Sequence, residues 1–106
     1  MKLMTKEIEQ RLAKFPLYSQ DGKGDEATIV CKFFSPINAW TWYVLEGQKT
    51  DDGDYELYGL VINSHGEKEY GYFMLSELQK IKLPFGLGIE RDIYFSPSKV
   101  MDVINS

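Results

Sequence analysis

A chain of 106 residues has room for one domain and one hydrophobic core, so we expect residues 1–106 to form a single domain. Its hydrophobic fraction of 43% predicts a packed core and argues against disorder. The net charge of −4 disfavours tight binding to duplex DNA, which depends on basic side chains that neutralise phosphates, and favours a protein partner with a basic surface.

The first 26 residues predict a short helix followed by a surface loop. Thr5 is a typical N-cap residue, Ile8 and Leu12 share one helical face, and Pro16 ends the hydrogen-bond ladder, so the helix should run from Thr5 to about Lys14. Residues 17–26 (LYSQDGKGDE) are rich in glycine and charge. Their spacing differs from that of a phosphate-binding Walker loop, so we expect an ordered surface loop.

Residues 27–34 (ATIVCKFF) predict one strand on which Ile29, Cys31 and Phe33 share a face. Cys31 should therefore be a small buried hydrophobe. The next segment, 39–45, contains both tryptophans and is apolar on both faces, which is typical of a central strand.

Two hairpins should follow. Asp51-Asp52-Gly53-Asp54 is a strong turn signal, and without EF-hand spacing it predicts a solvated acidic tip, not a calcium site. In residues 55–75, a three-residue loop at 64–66 with a left-handed Gly66 would pair Tyr58 with Tyr72, Leu60 with Tyr70 and Gly59 with Gly71. The paired glycines should leave a groove for Trp40 or Trp42.

The C-terminal third predicts two further helices. Ser76 and Gln79 have capping-box spacing, which predicts a helix from Glu77 to about Lys82. Residues 83–88 form an apolar, glycine-rich loop, and residues 93–95 a short strand. Ser96-Pro97 should open the last helix, with its inner face at residues 100, 103 and 104. The expected fold class is α+β: an antiparallel meander sheet of four to five strands, with an N-terminal helix, a short helix after the sheet and a C-terminal helix.

The polar residues suggest binding surfaces more readily than a catalytic centre. We expect no catalytic residues and no cofactor, and with His65 as the single histidine a metal site is not expected. Rigidly held loops often carry binding residues, so the first candidates lie in two acidic loops: Asp21, Asp25, Glu26, Asp51, Asp52 and Asp54. The second candidates are an aromatic sheet face and a charged cluster, namely Tyr58, Tyr70, Tyr72, Glu90, Arg91 and Asp92.

The single cysteine excludes an internal disulfide, which fits a reducing cytoplasm. Charged residues follow soon after Met1-Lys2-Leu3-Met4, which predicts no signal peptide, and no apolar run approaches the roughly 20 residues that a membrane-spanning helix needs. We therefore expect a cytoplasmic protein that does not bind membranes.

Several strings resemble a family known only as a domain of unknown function, common on bacterial plasmids, phages and integrative elements. They are LYSQDGKGDE, VCKFF, WTWY, GYFMLSEL and PFGLGIERDIYF, and they span nearly the whole chain. Gly88 stands where the family pattern suggests proline. The resemblance implies a mobile-element protein of a bacterial host, without an established activity or catalytic residues.

We therefore expect a non-enzymatic binding protein of a bacterial mobile element. By analogy, small acidic proteins of such elements often act in counter-defence, of the anti-restriction or anti-CRISPR type, by occupying basic surfaces of host machinery. The alternative is a nucleic-acid-associated accessory protein for conjugation or replication. A small hydrolase or transferase that uses the loop carboxylates ranks last.

Overall fold

The structure, a computed structural model, describes residues 1–104 and has the predicted α+β architecture. Short 3-10 turns lie at Gly24–Glu26 and Pro84–Gly86. In chain order the helices and strands are α1 (Lys6–Leu12), β1 (Thr28–Ile29), β2 (Cys31–Phe34), β3 (Thr41–Lys49), β4 (Tyr55–Ile62), β5 (Lys68–Met74), α2 (Leu75–Lys80), β6 (Glu90–Arg91), β7 (Ser98–Lys99) and α3 (Val100–Ile104).

The main sheet has five antiparallel strands in the order β5-β4-β3-β2-β6, while β1 and β7 form a separate antiparallel pair. The central position predicted for the tryptophan strand is confirmed, since β3 lies in the middle of the sheet between β4 and β2. Its apolar side chains pack on both faces. On one face, Trp42 and Val44 pack in a cluster with residues of α1 and α2. On the other face, Leu45 packs with Leu60 and with Val100 of α3.

The predicted register of the second hairpin is confirmed. Tyr58 pairs with Tyr72 and Gly59 with Gly71, and Gly66 has a φ of +79° in the turn. A Cβ atom on Gly59 would lie 1.9 Å from the carbonyl oxygen of Tyr43, so glycine is required there by the backbone of β3. Gly71 is open, and it borders a cleft of about 410 Å³ that Trp40 and Trp42 also line, with their rings stacked 5.7 Å apart.

The continuous strand predicted for residues 27–34 is wrong. Thr28–Ile29 pairs with β7, whereas Cys31–Phe34 pairs with β3, and Val30 between them donates its N–H to the carbonyl of Val44 at 2.7 Å. The break changes the side-chain alternation, so Ile29 and Cys31 pack in different clusters. Cys31 is nevertheless buried, as predicted.

Three boundaries near the C-terminus also differ from the prediction. α2 begins at Leu75, because the Glu77 side chain accepts a hydrogen bond from the Met74 N–H at 2.7 Å. The strand predicted at residues 93–95 lies instead at Glu90–Arg91, where it pairs with β2. α3 begins only at Val100, since the two residues before it pair with β1, although its predicted inner face does pack in the core.

Candidate functional site

A buried carboxylate fastens the acidic loop, residues 17–26, onto the sheet. Glu46 is only 1% exposed, and its two oxygens accept hydrogen bonds from the backbone N–H groups of Tyr18 at 2.7 Å and Gln20 at 2.8 Å. A β-bulge between Val44 and Glu46 shifts the strand register, so that Glu46 comes to lie opposite Tyr58. The bulge thus directs the carboxylate toward the face that carries the tyrosines.

Gln20 completes this attachment. Its buried amide nitrogen donates to the carbonyls of Thr28 and Leu45, both at 2.8 Å, and its amide oxygen accepts from the Thr28 N–H at 2.7 Å. Both the nitrogen and the oxygen of the Gln20 side-chain amide are therefore hydrogen-bonded to the backbone. The acidic loop is consequently held at a fixed position relative to β1 and β3.

The tyrosines form a connected aromatic group, which we call the tyrosine face: Tyr18, Tyr58, Tyr70 and Tyr72. The ring of Tyr58 lies 4.8 Å from that of Tyr72 and 6.2 Å from that of Tyr70, the latter at an interplanar angle of 17°. Tyr18, from the acidic loop, adds its ring 6.4 Å from Tyr72. Tyr70 and Tyr72 remain 44% and 51% exposed, so this end of the sheet presents aromatic surface to solvent.

The acidic loop and the tyrosine face meet in one pocket. Its volume is about 240 Å³, with carboxylates on the loop side and phenol rings on the sheet side. Asp21 and Asp25 of the first candidate set therefore line one pocket with Tyr58 and Tyr70 of the second set, although sequence reasoning treated the two sets as rival surfaces. The residues that line it are Gln20, Asp21, Gly22, Gly24, Asp25, Ala27, Leu45, Tyr58 and Tyr70.

The electrostatics of the pocket are negative. Burial, followed by the nearby charges of Glu46 and Asp21, raises the pKa of Tyr58. The pKa of Tyr70 is raised by burial and then by Asp25. Both phenols consequently stay neutral at pH 7.

Three of the four other predicted acidic residues already have partners within the chain. Glu26 forms an ion pair with Lys99 at 2.6 Å. Asp54 accepts hydrogen bonds from the hydroxyl and the N–H of Ser76, which lower its pKa and join the hairpin tip to α2. Asp52 bonds the Thr50 hydroxyl. Asp51 is exposed at the tip and forms no ion pair within residues 1–104.

The charged cluster at residues 90–92 is at the opposite edge of the sheet from β5, so it does not converge with the acidic loop. Arg91 donates from Nη1 to the carbonyl of Lys2 at 2.6 Å, and Asp92 lies 3.7 Å from the Lys32 ammonium. Glu90 pairs with Phe34 through β6 and β2. These contacts attach the N-terminal segment and β6 to the sheet.

Other kinds of site find little support in the described part of the chain. No group of three or more His, Cys, Asp or Glu side chains in residues 1–104 is arranged to hold a metal ion. Over the same residues, every buried polar side-chain atom has a hydrogen-bond partner. None of the helices there has the length and apolar character needed to cross a membrane.

Sequence reasoning missed the residues that build the pocket. Gln20 was considered only as the first residue of the polar cluster Gln20 to Glu26, and Glu46 was not selected although it ends the apolar run Trp42 to Leu45. A carboxylate between buried Leu45 and Gly47 in a central strand was the available signal, because a charge is rarely buried without a partner.

Comparison with known proteins identifies a family and no closer relative. Searches of curated proteins and of solved structures gave no significant match. The family model described as "Protein of unknown function (DUF2958)" matches residues 3–105. Because that match spans almost the entire sequence, the chain belongs to this family, as the sequence resemblance had suggested.

Proposed function

We propose that this chain is a non-enzymatic binding protein that engages a basic surface of a protein partner through the acidic loop and the tyrosine face. One observation carries the proposal: Asp21 and Asp25 are exposed beside aromatic rings, and neither forms an ion pair within residues 1–104. Carboxylates in this position attract a cation from outside the chain.

The arrangement of the loop's own cation supports this proposal. Lys23 lies between the two aspartates in sequence, yet its ammonium is placed 6.0 Å from the ring centre of Phe15 and does not line the pocket. The negative potential of the pocket is thus left without compensation from the loop itself. Such a potential increases the rate at which a basic partner associates.

The rings supply the rest of an interface. Tyrosine is enriched where proteins meet, since it buries a large apolar area and keeps a polar hydroxyl. Tyr70 and Tyr72 lie on an edge strand, and their rings contact that of Tyr58 on the neighbouring strand. The acidic loop is fixed by Glu46 and Gln20, so little conformational entropy is lost when a partner binds.

The alternative, a nucleic-acid-associated accessory protein for conjugation or replication, also has an observation in its favour. Exposed aromatic rings can stack on unpaired bases. However, Asp21 and Asp25 border the same rings and would repel the phosphate backbone. Enzymatic hydrolysis or group transfer by these carboxylates ranks third, because no Ser, Thr, Cys, Lys or His side chain lines the pocket and residues 1–104 contain no group of side chains arranged to hold a metal ion.

The biological setting of the proposal comes from the family resemblance and from analogy. We assign the protein to a bacterial mobile element, with a role in counter-defence of the anti-restriction or anti-CRISPR type, in the cytoplasm of the host cell. Its partner would be a host defence or nucleic-acid-processing complex with a basic surface. A small acidic protein suits this role, since such complexes present basic grooves to DNA or RNA.

A capture experiment with matched variants tests the proposal. The tagged protein is incubated with extract of a native bacterial host, alongside Asp21→Lys/Asp25→Lys and Asp51→Lys/Asp52→Lys variants. We expect a basic protein that is retained by the native chain and the second variant, released by salt, and lost with the first variant. Retention of the same proteins by all three chains would contradict the proposal, as would retention that depends on added nucleic acid.

A further inference from the structure

This inference rests on the proposed function and concerns the part of the protein partner that enters the pocket between the acidic loop and the tyrosine face. The pocket has a volume of about 240 Å³, which suits one side chain and not a folded segment. The acidic loop provides Asp21 and Asp25 on one side, and the sheet provides the rings of Tyr58 and Tyr70 on the other. A ligand for this pocket must therefore satisfy carboxylates and aromatic surface at once.

Two properties of the pocket select among cationic groups. The rings of Tyr58 and Tyr70 are nearly parallel, at 17°, and both lie on the sheet side of the pocket, so its aromatic surface is not a cage closed on all sides. A planar guanidinium stacks on such a surface, whereas a compact ammonium is better hydrated and gains less. Two carboxylates can also share the five N–H donors of a guanidinium, which an ammonium with three donors matches less well.

The floor of the pocket is fixed before any ligand arrives. Gln20 and Leu45 line it, and both are buried and joined by the hydrogen bond from the Gln20 amide to the Leu45 carbonyl. The buried carboxylate of Glu46 adds negative charge behind Tyr58. Glu46 itself is occupied by two backbone N–H groups, so the ligand would meet the exposed aspartates.

We infer that the pocket between the acidic loop and the tyrosine face binds an arginine side chain of the protein partner, with the guanidinium stacked on Tyr58 or Tyr70 and bonded to Asp21 and Asp25. One arginine of the partner would then provide the specific contact of the interface, while the remaining charges mainly increase the rate of association. Arginine is among the residues that most often dominate binding energy at protein interfaces.

Nuclear magnetic resonance titration with small probes tests the inference without requiring the partner. The probes are the N-acetyl amides of arginine, lysine and citrulline, the last being a neutral isostere of arginine, at low ionic strength. We expect saturable shifts at Tyr58, Tyr70 and the 20–27 backbone with the arginine probe, with a dissociation constant on the order of millimolar. Lysine should bind more weakly and citrulline should not saturate.

Single substitutions distinguish the contribution of the aromatic ring to binding of the arginine probe from that of the carboxylate charge. Tyr70→Leu and Asp25→Asn should each weaken binding of the arginine probe by about two- to fivefold, while Tyr70→Phe and the matched control Asp51→Asn should leave it unchanged. Tyr70 and Asp25 are exposed, so the folded spectrum should persist in each variant. Equal binding of arginine and citrulline, tighter binding of lysine, or shifts centred on residues 51–54 would each overturn the inference. If the probe fails while Asp21→Lys/Asp25→Lys still abolishes partner capture, the proposed function stands and the arginine pocket does not.

Discussion

The Gln20 backbone N–H lies 2.8 Å from a carboxylate oxygen of Glu46, and both residues are buried. This contact joins the acidic loop to the central strand and sets the distance between Asp21 and the tyrosine face. The pocket therefore depends on a buried charge whose partners are two N–H groups of the backbone.

Replacing Glu46 should destabilise the protein and open the pocket. In Glu46→Gln the amide NH₂ would face a backbone donor, so one of the two hydrogen bonds is lost and a buried donor is left unpaired. We expect the free energy of unfolding to fall by about 2–4 kcal/mol, measured by urea denaturation. Glu56→Gln in the neighbouring strand, at a half-buried position, serves as control, and a loss at Glu46 no larger than at Glu56 would contradict this role.

The paired glycines provide a second test of the fold. A Cβ on Gly59 would overlap the Tyr43 carbonyl, at 1.9 Å, whereas a Cβ on Gly71 has nothing within 4 Å. Gly59→Ala should therefore cost about 3 kcal/mol or more, or prevent folding, because backbone atoms must move. Gly71→Ala, directly opposite in the register, should change the stability by less than about 0.5 kcal/mol. Similar losses at both positions would show that the close approach of β3 is absent.

Cys31 should be unreactive in the native protein. Burial raises the pKa of its thiol to about 12, only partly offset by Arg11 and Arg91. At pH 8, a thiol reagent should label the native chain far more slowly than the chain in denaturant. Equal rates would contradict the burial of this side chain.

The same shift has a consequence for stability at high pH. The native pKa lies above the ordinary thiol value of 9.0, so the contribution of the buried thiol to stability is complete below pH 9 and is lost as the pH rises from 9 toward 12. Across that window, Cys31→Ala should lose stability less steeply than the native chain, as measured by thermal melts. Identical slopes for the two chains would rule out this contribution.

Duplex DNA should bind weakly at physiological salt. Twelve basic side chains face sixteen acidic ones, so few phosphate contacts form without repulsion from nearby carboxylates. A gel shift with a duplex of about 30 base pairs should show no retained complex at micromolar protein. Tight binding with a steep salt dependence would instead favour the nucleic-acid alternative.

The local pattern of the sequence was sufficient for the meander and its second hairpin. Gly66 fixes the turn, and with the turn fixed, Tyr58 and Tyr72 must face each other. Short segments near sheet junctions were harder to predict. Nothing local to Val30 reveals that the strand is interrupted there, since the interruption depends on Ser98 and Lys99, about 70 residues away, pairing with β1.

The candidate site was only half accessible from sequence. Composition selected Asp21, Asp25 and the tyrosines, but it could not reveal that the loop folds onto their face. The placement of the loop depends on Glu46, whose side chain a β-bulge directs toward the tyrosine face. No residue preference in the sequence predicts that bulge. Composition likewise could not distinguish Asp54, which is hydrogen-bonded to Ser76, from Asp21 and Asp25, which form no ion pair within residues 1–104.

The central claim is that Asp21 and Asp25, and not the acidic hairpin tip, contact a basic partner. Its most direct test is the rate of association between the partner captured from the host and two charge-reversed chains, measured at low salt by stopped flow. Asp21→Lys/Asp25→Lys should slow association by about tenfold or more, an effect that diminishes at high salt, while Asp51→Lys/Asp52→Lys should remain within about twofold of the native rate. Asp54 is left in place because its bond to Ser76 is part of the fold. Normal association of the first variant at low salt, or selective loss in the second, would contradict the claim.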